Sequence, residues 1–275
     1  MDVRSLSRTE ARVILSLEAE SVELVTLDEI QKRAKVSRAF ARKLAHTLVR
    51  RGWLQRVRRG SYLLNPSRHG PDALPDMDPL RVGSRLLNPY YFGFATAAEL
   101  LGLFPQASRT YYLVTTIRST AGTTQDGRFR IVRVSRAHFF GTRSTVRRGV
   151  AVVTSDAERT ILDCLTQPEL SGGMAGVAQI LSLAKPRLDW SRLSSYLDRL
   201  GNRSLGRRCG YLAEHVRPSI RPPRSWLQQW LPSPPDPFVP LGPARVYGRR
   251  GPRDARWRII RNVTDSQLFA EGEIR

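Results

Sequence analysis

The sequence predicts an α+β fold in two parts, and three observations predict it. Two capping boxes and a serine cap open three short amphipathic helices before residue 52, and two extended runs follow them. Three β-branched or alternating runs, at 109–117, 129–134 and 149–154, lie in the middle of the chain. Further helical stretches come after them, before an end rich in Pro and Arg.

The elements follow in order. Ser7-Arg-Thr-Glu10 opens a helix carrying Ala11, Ile14, Leu15 and Leu17. Thr26-Leu-Asp-Glu29 opens a short second helix with Leu27, Ile30 and Ala34. Ser37 caps a third, whose apolar face holds Phe40, Ala41, Leu44, Leu48 and Val49, and Gly52 ends it. Trp53–Val57 and Ser61–Leu64 are joined across Arg58-Arg59-Gly60 as a hairpin. Helix, helix, tight turn, helix and hairpin is the order of a winged helix-turn-helix domain, over residues 1–65. Residues 66–83, rich in Pro, Gly and Asp, read as a linker. Residues 84–275 read as a mixed α/β domain with a small sheet and a helical tail. In it, Thr96-Ala-Ala-Glu99 and Ser155-Asp-Ala-Glu158 have capping-box spacing, and 174–184, 189–200 and 203–216 are helical. Ten prolines after Val216 limit helix there. Trp226, Trp230, Phe238 and Trp257 favour an ordered wrap over a free basic tail.

Charge points to a class of partner. The chain has 275 residues, with 45 Lys and Arg against 24 Asp and Glu, a formal net charge of +21. Such an excess attracts polyanions, nucleic acid before an anionic membrane. Its placement is sharper than its total. From Lys32 to Arg59 there are eleven basic residues and no acid, and this stretch coincides with the third helix and the hairpin. The third helix presents Arg38, Ala39, Arg42, Lys43 and His46 opposite its apolar face, and the hairpin offers Arg56, Arg58 and Arg59. Residues near the start of such a helix reach base edges, while flanking cations hold phosphates. DNA binding is therefore the expected function. Arg50 and Arg51 have a second explanation, as cations at a helix C-terminus.

Other classes are disfavoured. No stretch approaches a membrane span, and MDVRSLSRTE lacks the apolar run of a signal peptide. Cys164 and Cys209 are too few for a disulfide framework or a four-cysteine zinc site, and they read as small core residues. No cofactor or metal is expected, and no enzyme. Asp156, Glu158 and Asp163 crowd one helix, but helix capping explains the first two. No Glu-x-Lys occurs, and the one lysine beyond residue 43 is Lys185, so a nuclease core is not read here. Gly172-Gly173 reads as a turn or cap, and His138, beside Phe139 and Phe140, as a packed histidine rather than a base.

Beyond its elements, the chain carries FATAAELLGL, RTYYLVTT, VAVVTSDAERTILDCLTQPELSGG, LGRRCGYLAEH and a closing PLGP with RWRIIRN. Their order, over about residues 5–263, resembles the AbiEi family of type IV antitoxins from abortive-infection operons. The resemblance implies a transcriptional autorepressor acting on inverted repeats in its own promoter. It also implies an antitoxin that counters a nucleotidyltransferase-like toxin without a stable complex, in a cytoplasmic, nucleoid-associated protein. Carried over, the DNA-reading positions are Ser37, Arg38, Arg42, Lys43 and His46, with Arg56, Arg58 and Arg59 on the wing. The alternatives are a general basic nucleic-acid binder without antitoxin activity and, against the missing carboxylate–lysine set, a nuclease.

Overall fold

Reciprocal caps start the first two helices, as their spacing predicts. The chain is seen in a computed structural model that describes residues 5–69, 78–104, 108–118, 122–124, 127–216 and 221–269. In α1 (Arg8–Ala19) the Ser7 hydroxyl accepts from the Glu10 N–H, and the Glu10 carboxylate accepts from the Ser7 N–H. β1 (Leu24–Thr26) leads into α2 (Leu27–Ala34), where Thr26 and Glu29 repeat the exchange. α3 (Arg38–Arg50) starts at Ser37, whose hydroxyl accepts from the Phe40 N–H at 3.3 Å. It ends at Gly52, with φ +74°. There the Trp53 N–H reaches the Leu48 carbonyl and the Gly52 N–H reaches that of Val49, a closure that needs a left-handed residue.

β2 (Leu54–Arg58) and β3 (Ser61–Leu64) follow, in a sheet of order β1-β3-β2 with antiparallel pairs. β1 is too short to show alternation in sequence, and it was not foreseen. Val13, Ile14, Leu17, Ile30, Leu44, Leu48 and Trp53 close the core of this unit. Two residues expected in it are outside: Leu15 is 59% exposed and Phe40 is 49% exposed. At 100° per residue, the buried arc of α3 centres on Ala41, Ala45 and Leu48, and Phe40 lies about 100° from that centre. Leu15 likewise sits beyond the arc of Val13, Ile14 and Leu17.

By compactness one unit comprises Met1–Asn88 with Ala121–Ile131, and the other Pro89–Thr120 with Val132–Arg275. Within the segment read as linker, α4 (Pro79–Leu86) begins, and residues 70–77 lie outside the described residues. Glu23 holds α4, accepting from Arg81 at 3.0 Å and Arg85 at 3.1 Å.

The second unit opens with β4 (Tyr91–Phe92), α5 (Phe94–Leu100) and β5 (Tyr111–Thr115). β6 (Gly122–Thr123) and β7 (Phe129–Arg133), grouped with the first unit as far as Ile131, pair as a hairpin, Gly122 opposite Ile131. β8 (Thr142–Arg147) and β9 (Val150–Ser155) complete the strands, and β5, β4, β9 and β8 are neighbours in that order. Two expected capping boxes do not form. α5 starts at Gly93, and the Thr96 hydroxyl inside it accepts from the Tyr112 N–H instead. α6 (Ala157–Thr166) starts one residue late, at Asp156, which accepts from the Arg159 N–H.

α7 (Gly173–Ala184), α8 (Trp190–Leu200) and α9 (Arg203–His215) pack with α6 around a core that includes Cys164, Leu181, Leu197 and Cys209. Gly172 and Gly173 form the left-handed turn into α7. Lys185 is buried and donates to the carbonyls of Ala213 and Val216, where α9 ends. The chain then runs through α10 (Arg224–Trp230), β10 (Val239–Pro240), α11 (Ala244–Tyr247), β11 (Arg253–Asp254), β12 (Ile259–Ile260) and α12 (Asp265–Leu268). This is the ordered wrap the tryptophans predict. Trp226, Trp230 and Trp257 are buried, and the guanidiniums of Arg253 and Arg258 lie over the Phe238 ring, 5.1 and 4.7 Å from its centroid. Arg217 lies outside the described residues. His138 is exposed, not packed: it ends a 3-10 turn that leaves its ring outside.

Candidate nucleic-acid interface

The turn between α2 and α3 is made by Lys35, Val36 and Ser37. Lys35 takes the left-handed conformation, φ +54°, so the chain reverses in three residues and α3 is set across α2. α3 has no acid in its first turn, so the positive end of its dipole adds to Arg38 rather than being offset.

A groove of about 830 Å³ lies between α3 and the β2–β3 hairpin. Arg38, Arg42, His46 and Val49 line it from α3, at the i, i+4, i+8, i+11 spacing of one helix face. Arg56, Arg58 and Arg59 line it from the hairpin, with Gly60, Ser61 and Tyr62. The pairing of β2 with β3 shifts register between Arg56 and Arg58. That shift lets Leu54 and Val57, three residues apart, both be buried, while the arginines on either side of Val57 reach the groove. Six of the expected site residues therefore come together. Ser37 is the cap of α3, and Lys43 is exposed on α3 outside the groove lining.

Electrostatics sorts these cations. Arg33 forks onto Glu20 at 2.8 and 2.6 Å, and Arg51 donates to Glu10 at 2.7 Å, so these two are tied within the unit. Arg42, Lys43, Arg56, Arg58 and Arg59 have no carboxylate within salt-bridge range among the described residues. Burial pulls the Arg58 guanidinium below its ordinary value, and its Nε is buried with no hydrogen-bond partner. A buried, unsatisfied cationic donor costs free energy until an acceptor arrives.

Sequence reasoning missed the carboxylate of the groove, along with the uncharged lining residues Thr26, Leu27, Val49, Gly60, Ser61 and Tyr62. Asp28 is that carboxylate and accepts from Arg38 Nη1 at 2.9 Å. In the sequence Asp28 sits outside the acid-free stretch, inside a capping box, and nothing local places it beside residue 38. The acid-free run is thus partly neutralised in space: acids from α1 and α2 and their flanks reach three of its eleven cations.

The carboxylates of α6 are occupied. Asp156 accepts from Tyr196 Oη at 2.8 Å, and Glu158 accepts from the Asp189 N–H at 2.9 Å. Asp163 accepts from Arg159 Nε at 2.9 Å and from Tyr91 Oη at 3.1 Å, and burial pushes its carboxyl up. Among the described residues no group of three or more His, Cys, Asp and Glu is placed to hold a metal, and no helix is long and apolar enough to cross a membrane.

No curated protein matches the chain. Over most of its length the fold is similar to the crystal structure of the RV2827C protein from Mycobacterium tuberculosis. The TM-score is 0.65, with 17% identity over 93% of this chain and 92% of that one. That likeness is one of fold. A family model matches residues 12–65, the stretch that holds α2, α3 and the hairpin, and its description is transcriptional regulator, AbiEi antitoxin. The resemblance read from about residues 5–263 is thus matched over 12–65, and there the chain is similar to the AbiEi antitoxin regulators.

Proposed function

We propose that the chain is a sequence-specific DNA-binding autorepressor whose first unit works as a winged helix-turn-helix, and that it is the antitoxin of a type IV toxin–antitoxin system. The groove between α3 and the hairpin carries the reading, because it gathers Arg38, Arg42, His46, Arg56, Arg58 and Arg59. In this reading α3 enters the major groove, Arg38, Arg42 and Lys43 reach base edges, and His46 and Ser37 flank them. The hairpin cations hold the backbone or a minor groove, and a phosphate oxygen gives Arg58 the acceptor it lacks. The antitoxin half rests on the family description. There the proposed partner is a nucleotidyltransferase-like toxin countered without a stable complex, in a cytoplasmic, nucleoid-associated protein.

The test is a gel-shift titration of the full chain at two salt concentrations, on its own upstream DNA and on a scrambled duplex of equal length. Tight binding confined to the upstream DNA is the expected result. Equal, salt-sensitive binding to both would reduce the protein to a general basic nucleic-acid binder.

A further inference from the structure

α3 presents one large apolar group to solvent at its reading end. Phe40 is half-exposed and is not among the buried core residues of its unit. It stands in the first turn, with Ser37, Arg38, Ala39 and Lys43 all exposed around it. At 100° per residue Phe40 lies about 160° from Arg42, so the two mark opposite edges of the exposed arc, with Ala39 and Lys43 between them. The groove-lining arginines occupy one edge, and Phe40 stands on the other, in the first turn.

A polyanion offers few apolar contacts. Phosphate and sugar give none that would repay exposing a phenyl ring, and base edges in the major groove are polar with one exception, the C5-methyl of thymine. We infer that Phe40 is a specificity-determining residue that packs on thymine methyl groups in the operator, Ala39 extending the same apolar surface. The inference rests on the reading of α3 as the DNA-reading helix. It predicts an operator with thymine at the position facing the start of α3. Removing that methyl should weaken binding without touching any hydrogen bond or charge.

Replacing thymidine by deoxyuridine removes the C5-methyl and nothing else, so the full chain is titrated on four duplexes: upstream DNA, its fully deoxyuridine-substituted copy, and a scrambled duplex in both forms. The wild type should bind the substituted upstream DNA about four-fold more weakly per methyl contacted, with no such difference on the scrambled pair. Phe40→Ala should bind normal upstream DNA more weakly by a similar factor and be indifferent to the substitution. Phe40→Leu should keep part of the sensitivity. Phe40 stands outside the buried core, so both variants should stay folded, which thermal melts alongside the wild type check. A wild type that prefers upstream DNA yet ignores the substitution overturns the inference and leaves DNA recognition standing. So does a Phe40→Ala protein that is as sensitive as the wild type. A wild type with no preference for upstream over scrambled DNA overturns the reading of α3 and this inference with it.

Discussion

Individual side chains of one kind, arginine, are given different work by where they sit. Arg42 projects from α3 into the groove and Arg59 from the tip of the hairpin, and neither has a carboxylate partner among the described residues. A guanidinium that forks onto a base discriminates by about 1–3 kcal/mol, whereas one on phosphate weakens every sequence alike. Arg42→Ala is therefore expected to lower the ratio of operator to random binding by roughly ten- to a hundred-fold. Arg59→Ala should leave that ratio unchanged and lower both affinities. Competition titrations with labelled operator read the two outcomes, and equal losses on every sequence at both positions would sink the assignment of α3. The cysteines make the opposite case, residues whose chemistry the fold suppresses. Cys164 and Cys209 are buried, and burial pushes each thiol up to about 12. At pH 8 almost no thiolate exists, so iodoacetamide should label neither cysteine in the native protein and both after denaturation. Mass spectrometry counts the adducts, and native labelling would contradict the packing of α6 and α9.

Elements meet where sequence leaves room for them. α9 carries Gly206 and Gly210 one turn apart, and the indoles of Trp230 and Trp257 pack against those two positions. A Cβ on residue 210 would stand 2.1 Å from Trp257 Cη2, closer than atoms can approach. Overpacking of this kind costs about 1–3 kcal/mol or more, so Gly210→Ala should lower the thermal midpoint by several degrees and red-shift tryptophan emission. In a Trp257→Ala background the same change should become neutral or stabilising, since alanine is the better helix former by about 1 kcal/mol. Persistence of the penalty without the indole would locate the strain elsewhere. The same contrast explains what was legible in advance. Ser7–Glu10 and Thr26–Glu29 are reciprocal within four residues, so the caps could be read directly, and the hairpin tip with them. β8 could not, because Thr142–Arg147 is an edge strand exposed on both faces and carries no apolar alternation. The caps of α5 and α6 were misplaced because Thr96 and Glu158 answer to distant partners, Tyr112 and Asp189. The groove's cations on α3 were legible through helical spacing and those of the hairpin through its turn, and Asp28 was not, because its meeting with Arg38 is made by the turn between α2 and α3.

At the scale of the whole molecule the question is how much of a net charge of +21 meets DNA. Basic residues are exposed in both units: Arg42 and Arg59 in the first, Arg143, Arg148 and Arg221 in the second. Charge alone cannot separate a local footprint from a diffuse one, but counterion release can. Each phosphate neutralised on duplex DNA contributes about −0.9 to the slope of log K against log salt. If phosphate contact is confined to Arg56, Arg58 and Arg59, with Arg38, Arg42 and Lys43 on base edges, a monomer on one half-site should show a slope of about −3. Two such footprints on an inverted repeat would double it, so the stoichiometry on the probe must be fixed by sedimentation in the same buffers. A slope per protomer of about −9 or steeper would bring arginines of the second unit onto the backbone. Changing Arg143 and Arg148 together to Ala should then flatten it by about two. At the shallower slope the same double change should do nothing. The excess charge of the second unit would then serve something other than operator contact, and the reading head would be α3 and its hairpin alone.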